Sequence, residues 1–356
     1  EGECWPVFFR CFIKKNFEKI EKILEDSPRT VLSSSTEMSM LGNRLFGVMN
    51  ANLAAAGARH EAPVYLGLSK FNQNWDKVGR RLLKFPNIGD GDCTFWDGTV
   101  GRFSFDSVRR MRQQMLNVPG WDKAIDFFYS MIVFSFIVGI LGDLFSKDMG
   151  MPSGQTNTLA DNCIIHALYW CYHWCLVVVP SVPGLHPTWA CFKEHVCLIV
   201  MGDDVIYSYS NLVAPYMRQS RVAQTFSTIG VKFKYTLDGP APLHDLEFCS
   251  TFFRKYHGIF VPVLKPEKML TSILCKPVIR PRMCLRRLLS LRVEIFYEPT
   301  LLSLVDGLIS FLLRDYSGVM SNKPTGVAGD DQTLDQIMDS AWSHFTIHAH
   351  YTEVFS

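Results

Sequence analysis

The sequence predicts an α+β fold organised on an antiparallel sheet, and three observations carry that expectation. Residues 196–208 place two apolar, β-prone runs around Gly202-Asp203-Asp204, the pattern of a buried hairpin with carboxylates at its tip. Residues 246–261 repeat the hairpin pattern around His257-Gly258. Apolar helical runs, 159–179 foremost, and a C-terminal part that reads as helices supply the α layers.

The chain has 356 residues, 48% hydrophobic and 20% charged, which makes it globular with room for two or three subdomains. Its formal charge of +2 excludes any case for nucleic-acid binding from overall charge; local basic clusters must make it. Eleven irregularly spaced cysteines resemble no disulfide framework and read as reduced thiols. An opening Glu1, with no initiator Met and no signal peptide, suggests a processed product or a segment of a longer polypeptide. Residues 127–142 and 163–180 are strongly apolar but shorter than the roughly 20 residues of a spanning helix. No transmembrane segment is expected; a buried helix followed by a strand suits residues 127–142.

In chain order, residues 12–22 mix Lys14, Lys15, Lys19 and Lys22 with apolar positions and lead to Arg29. They read either as phosphate contacts or as a solvated helix face paired with Glu18 and Glu21. A helix is expected over 40–56, ending at Gly57, and a second basic face over 72–84. Asp90, Asp92 and Asp97 follow in a stretch where Phe95 and Trp96 rule out a calcium loop. A strand ending at Asp92 and a helix starting near Asp97 would set both carboxylates at one sheet edge.

The small, polar loop 150–158 then feeds the 159–179 helix, where Ser153, Thr158 and Asn162 start an otherwise apolar run and suit ligand hydrogen bonding or helix capping. Cys171, Cys175, Cys191 and His195 match no zinc spacing, so structural Zn²⁺ is not expected. Past the acidic hairpin, 214–227 reads as a helix and 228–235 alternates as a strand. Prolines at 262, 266, 277 and 281 mark a subdomain boundary. Beyond it Lys276, Arg280, Arg282, Arg286, Arg287 and Arg292 give six basic residues and no acid over 17 positions, which suits phosphate contacts.

Taken together, the motifs resemble viral RNA-dependent RNA polymerases of positive-strand RNA viruses, within the picornavirus-like supergroup and leaning towards astrovirus-like or potyvirus-like enzymes. Asp-x4-Asp-Gly at 92–98 resembles polymerase motif A, Ser-Gly-x3-Thr-x3-Asn at 153–162 motif B, and Gly-Asp-Asp at 202–204 motif C. Residues 230–235 fit motif D loosely and 248–255 resemble motif E. The separations, 61 residues from Asp92 to Ser153 and 50 from there to Asp203, suit that order. Met201 stands where picornavirus-like enzymes mostly carry Tyr, and only 91 residues precede Asp92, too few for complete fingers.

The resemblance implies a right-hand polymerase: partial fingers over 1–89, a palm over 90–260 built on an antiparallel sheet flanked by helices with a fingers insertion near 99–149, and a helical thumb over 261–356. It implies RNA-directed nucleotidyl transfer with Asp92, Asp203 and Asp204 as catalytic, Mg²⁺-binding residues, Mn²⁺ being able to substitute. Asp97, Ser153, Gly154, Thr158 and Asn162 would select the ribose. Lys15 and Arg29 would grip the triphosphate, with Lys14 competing for the first place, and Arg254, Arg282, Arg286 and Arg287 would touch RNA. Lys232 and Lys234 are the motif D proton-donor candidates. The implied partners are RNA template and product, ribonucleoside triphosphates and other viral replication proteins, at membrane-associated sites in the host cytoplasm. A catalytically incomplete scaffold and a membrane-anchoring protein are the competing readings.

Overall fold

A computed structural model of the chain describes residues 7–14, 20, 24–25, 29–274, 280–320 and 332–353. The acidic hairpin forms as β6 (Val196–Met201) and β7 (Asp204–Tyr209), joined by the two-residue loop Gly202-Asp203. Such a loop follows the twist of its strands best with positive φ at its first position, and Gly202 has a φ of 66°. β7 also pairs with β3 (Asn87–Thr94), which pairs with β8 (Lys232–Lys234), giving the order β6-β7-β3-β8 with all neighbours antiparallel.

Alternation along these strands separates two faces. Asp92, Asp204 and Lys234 stand in register and share one face. Cys93, Phe233 and Tyr207 lie on the other, which receives the helices Thr158–His173 and Gln219–Ser227. There the Trp170 ring meets Tyr207 at 4.3 Å between centroids, and Phe226 meets Phe233 at 5.5 Å. Truncating a fully buried Trp such as Trp170 costs about 3–5 kcal/mol. The outer edge of β6 is closed by residues 63–65: Tyr65 N–H donates to Val200 O and Val200 N–H to Pro63 O, both at 2.8 Å.

A second sheet has the order β2 (Thr30–Ser33), β1 (Phe8–Ile13), β4 (Ser135–Val138), β5 (Leu144–Lys147). The basic stretch read as a possible helix face therefore begins in a strand. The apolar run 127–142 divides, as expected, between the buried end of the helix Asp122–Val133 and β4. The run Thr158–Ser181 is long and apolar enough to cross a membrane by length and composition, and half of its most apolar window is buried within the protein. The helix expected from 214 begins only at Gln219, after turns around Pro215, which lacks an N–H to donate.

These elements belong to the first of two compact units, Glu1–Leu68 with Leu82–Pro242. The second comprises Ser69–Arg81 and Leu243–Ser356. It holds a sheet of order β11-β10-β9, with β9 at Glu247–Phe248, β10 at Thr251–Tyr256 and β11 at Ile259–Leu264. The β10–β11 turn is His257-Gly258, both with positive φ. Trp75 stacks on Phe253 at 4.4 Å, and the helices Pro281–Glu294 and Pro299–Met320 bury Leu285, Leu288, Val305 and Ile309 in a separate core. The expected boundary at 260/261 falls inside β11.

Candidate active site

Antiparallel pairing sets Asp92 opposite Asp204, and the hairpin loop places Asp203 beside them, its carbonyl accepting the Cys93 N–H at 3.3 Å. Burial first, and the Asp203 charge second, raise the Asp92 carboxyl above its ordinary value; Lys234, Arg29 and the Cys93 N–H pull the other way. Burial likewise raises Asp203, opposed by its own and the Asp204 N–H groups, by Arg29 and by Lys14. Carboxylates partly withdrawn from water, one raising another, suit a hard divalent cation. Among the described residues, the ligand atoms that all lie within 4.8 Å of one another belong to Cys191, Glu194 and His195.

Asp97 sits on the one-turn helix Trp96–Thr99, which the chain enters through Phe95 in the left-handed region at a φ of 57°. Although open to solvent on one side, Asp97 has a carboxyl raised to about 6, by the protein walls around it and then by Asp203, with Arg29 and Lys14 opposing. Its carbonyl accepts the Met151 N–H at 2.7 Å, which ties this turn to the 150–158 loop.

In that loop Ser153 Oγ accepts from Leu32 N–H at 3.4 Å, and the Gly154 N–H donates to Leu32 O at 2.8 Å. A Cβ at Gly154 would meet Leu32 O at 2.5 Å, so glycine is what lets β2 approach. The Thr158 hydroxyl lies 2.8 Å from Gln155 O and 3.0 Å from Pro152 O, which shapes the loop. Asn162 is buried, and its Oδ1 has no hydrogen-bond partner among the described residues. A buried acceptor left without a partner costs stability unless a ligand supplies the donor.

Behind Asn162 lies a network that sequence reasoning missed. Arg112 donates through Nε to Asp161 Oδ1 at 2.9 Å and through Nη2 to the same atom at 2.5 Å. The Tyr129 hydroxyl lies 3.1 Å from both Asp161 oxygens. Arg112 Nη2 also donates to Asn50 Oδ1 at 3.0 Å, and Asn50 Nδ2 to Asn157 Oδ1 at 2.7 Å. The sequence signal was an acid, Asp161, inside an apolar helix.

Lys14 and Arg29 occupy the paired ends of β1 and β2, where the Lys14 N–H donates to Arg29 O at 2.8 Å, and both act on Asp97 and Asp203. Lys15 and Lys276 lie outside the described residues. Arg282 is buried and donates to Gln332 O at 3.2 Å, which corrects its expected RNA contact: the side chain is withdrawn into the helical core. Arg292 likewise pairs with Asp306 at 2.8 Å. Arg286 and Arg287 are half-buried and Arg254 is exposed. Of the four possible zinc ligands, Cys191 and His195 come together, with Glu194 beside them. Cys171 and Cys175 line an apolar cavity with Phe103, Tyr169 and Ile229. Cys191 Sγ accepts His186 N–H at 3.4 Å, and His195 Nδ1 lies 3.1 Å from Ser210 Oγ.

The family profile described as viral RNA-dependent RNA polymerase matches residues 2–274. The genome polyprotein of Triticum mosaic virus is 25% identical over 266 residues, 74% of this chain and 8% of the polyprotein. The non-structural polyprotein 1AB of Avian nephritis virus 1 is 24% identical over 272 residues, 74% of this chain and 18% of its own length. Potyvirus and astrovirus relatives agree with the lean read from the motifs. The solved Sicinivirus 3Dpol RNA dependent RNA polymerase superposes with a TM-score of 0.68 at 16% identity, covering 86% of this chain and 63% of that one, and shows the right-hand polymerase fold. The match to the family profile over most of the chain is decisive: the chain belongs to the viral RNA-dependent RNA polymerase family.

Proposed function

We propose that the chain performs template-directed transfer of a nucleotide from a ribonucleoside triphosphate to an RNA 3′-hydroxyl, and so copies the genome of a positive-strand RNA virus. The observation that carries this reading is the gathering of Asp92 and Asp204 in register, Asp203 on the adjoining turn, and Arg29 and Lys14 acting on these acids. Mg²⁺, or Mn²⁺ in its place, held by Asp92 and Asp203 with Asp204 assisting, would stabilise the attacking and leaving oxygens of an in-line displacement.

The chain's own groups perform the rest. Arg29 and Lys14 favour the ionised aspartates and offer positive charge to a triphosphate. Asn162 Oδ1, a buried acceptor without a partner among the described residues, suits the hydrogen of a ribose 2′-hydroxyl. Ser153 and Asp97 would join Asn162 in reading the ribose, while Gly154 and Thr158 hold the loop in shape. Of the two motif D lysines, Lys234 stands in register with Asp92 and is the better placed to give a proton from Nζ to the departing pyrophosphate.

In the terms of the fold, residues 1–89 serve as part of the fingers, 90–260 as palm with the insertion at 99–149, and 261–356 as thumb. RNA, ribonucleoside triphosphates and other viral replication proteins are the partners, at membrane-associated sites in the host cytoplasm. Primer extension on an RNA template tests this reading. It requires labelled product that depends on template and divalent cation; product made without template, or no product at any Mg²⁺ or Mn²⁺ concentration, contradicts it.

A further inference from the structure

The geometry points to Cys163 and His166 as positioning residues that clamp the Gly202 peptide from beneath and so fix where Asp203 presents its carboxylate. The inference rests on reading Asp203 as a cation ligand. Gly202 is buried, and its backbone N–H and C=O, which belong to the successive peptide groups on either side of its Cα, are both held by one helix. Its N–H donates to Cys163 Sγ at 3.2 Å, and its carbonyl lies 2.9 Å from His166 Nδ1. The two side chains are three residues apart on the Thr158–His173 helix and therefore neighbours on one face.

That face packs on the sheet side opposite Asp92 and Asp204, so the clamp reaches the turn without occupying the acidic face. A carbonyl accepts only, so His166 carries its proton on Nδ1 and donates it to Gly202 O. Burial lowers the imidazole to about 4, which keeps it neutral and leaves Nε2 as an acceptor. Nε2 lies 3.8 Å from Cys93 Sγ, which can donate its S–H to it. One neutral ring thus joins the residue after Asp92 to the residue before Asp203. Cys163, whose thiol burial raises to about 12, also lies 3.8 Å from Val200 O on the strand leading into the turn.

Packing alone does not call for these residue types. The His166 ring meets Trp96 at 5.1 Å and Phe226 at 6.3 Å, surroundings that a phenyl ring would fill without desolvating two nitrogens. What a phenyl ring could not do is satisfy the Gly202 carbonyl.

Two graded pairs of variants test the clamp in the intact chain. His166→Asn keeps a donor near the Nδ1 position while His166→Phe keeps only the ring; Cys163→Ser keeps an acceptor for the Gly202 N–H while Cys163→Val keeps only bulk. Mn²⁺ binding to the nucleotide-free protein is read by the loss of free-ion signal in electron paramagnetic resonance, alongside kcat and KM in primer extension. His166→Phe and Cys163→Val are expected to weaken Mn²⁺ binding and lower kcat by about tenfold or more, the scale of one lost buried hydrogen bond, with KM for the triphosphate changed by less than about threefold. His166→Asn and Cys163→Ser are expected to recover most of that loss. If His166→Phe fails to fold, the Cys163 pair decides by the same criteria. Folded His166→Phe or Cys163→Val with wild-type Mn²⁺ binding and kcat overturns the clamp, as does a loss that the conservative variants share equally. Asp203→Asn is the control: Mn²⁺ binding unchanged by it overturns the cation-site reading and the clamp with it, whereas binding lost in Asp203→Asn but kept in His166→Phe overturns the clamp alone.

Discussion

Replacing Arg112 with Met would strip the Asp161 carboxylate of its cation in a place that water does not reach, since Arg112 is 1% exposed and Asp161 is wholly buried. Breaking a buried ion pair from one side costs about 3–5 kcal/mol, because the remaining charge stays desolvated. The Tyr129 hydroxyl remains bonded to Asp161, which places the expected loss for Arg112→Met near 3 kcal/mol. Asp161→Leu should cost at least as much, since it strands the guanidinium, whose other contacts include Tyr129, Asn50 and the face of Phe46 at 4.8 Å. The double variant removes both charges, so its loss should fall short of the sum of the singles by more than about 2 kcal/mol. Urea unfolding followed by tryptophan fluorescence measures all three. Single losses below about 1 kcal/mol, or losses that add, would refute the view that this pair anchors the helix carrying Asn162.

Three further expectations follow from the site. Asn162→Ala should lower the preference for ribonucleoside over deoxyribonucleoside triphosphates by about tenfold or more, because the acceptor for the 2′-hydroxyl is gone; competition kinetics with paired substrates would read it. Lys14→Ala and Arg29→Ala should raise KM for the triphosphate and flatten its dependence on salt, checked by titrating potassium chloride at fixed template. The Asp97 carboxyl, raised from an ordinary 3.8 to about 6, keeps its proton in the folded chain between those values while the unfolded chain has lost it. Its ionisation therefore takes stability away from the cation-free protein as pH rises through that window, and Asp97→Asn should reduce that slope in unfolding curves measured from pH 4 to 7.

The acids were legible in the sequence because carboxylates inside β-prone apolar runs have few uses, and the long-range pairing of β3 with β7 then brings Asp92 to Asp204. The β2-β1-β4-β5 sheet was not legible: its strands are short and lack clean alternation, so the stretch that holds Lys14 could equally be read as a helix face. The Arg-rich helix misled in the opposite direction. Its lack of local acids suggested an RNA surface, but the partners of Arg282 and Arg292 lie far along the chain at Gln332 and Asp306. Asp161 hid for the same reason, since its guanidinium partner is 49 residues upstream. His166 and Cys163 read as core residues, which they are; only the three-dimensional placement of Gly202 gives their polar atoms a task.

The central claim, that Asp203 at the tip of the hairpin holds the cation on which polymerisation depends, is tested most directly by the single-turnover rate of Asp203→Asn at saturating Mg²⁺ and triphosphate. Losing one carboxylate charge from the reaction centre should cost at least about 3–4 kcal/mol of transition-state stabilisation, a fall in rate of two to three orders of magnitude or more. The far-ultraviolet circular dichroism should be unchanged. Extension by Asp203→Asn at a rate near that of the wild type would contradict the account.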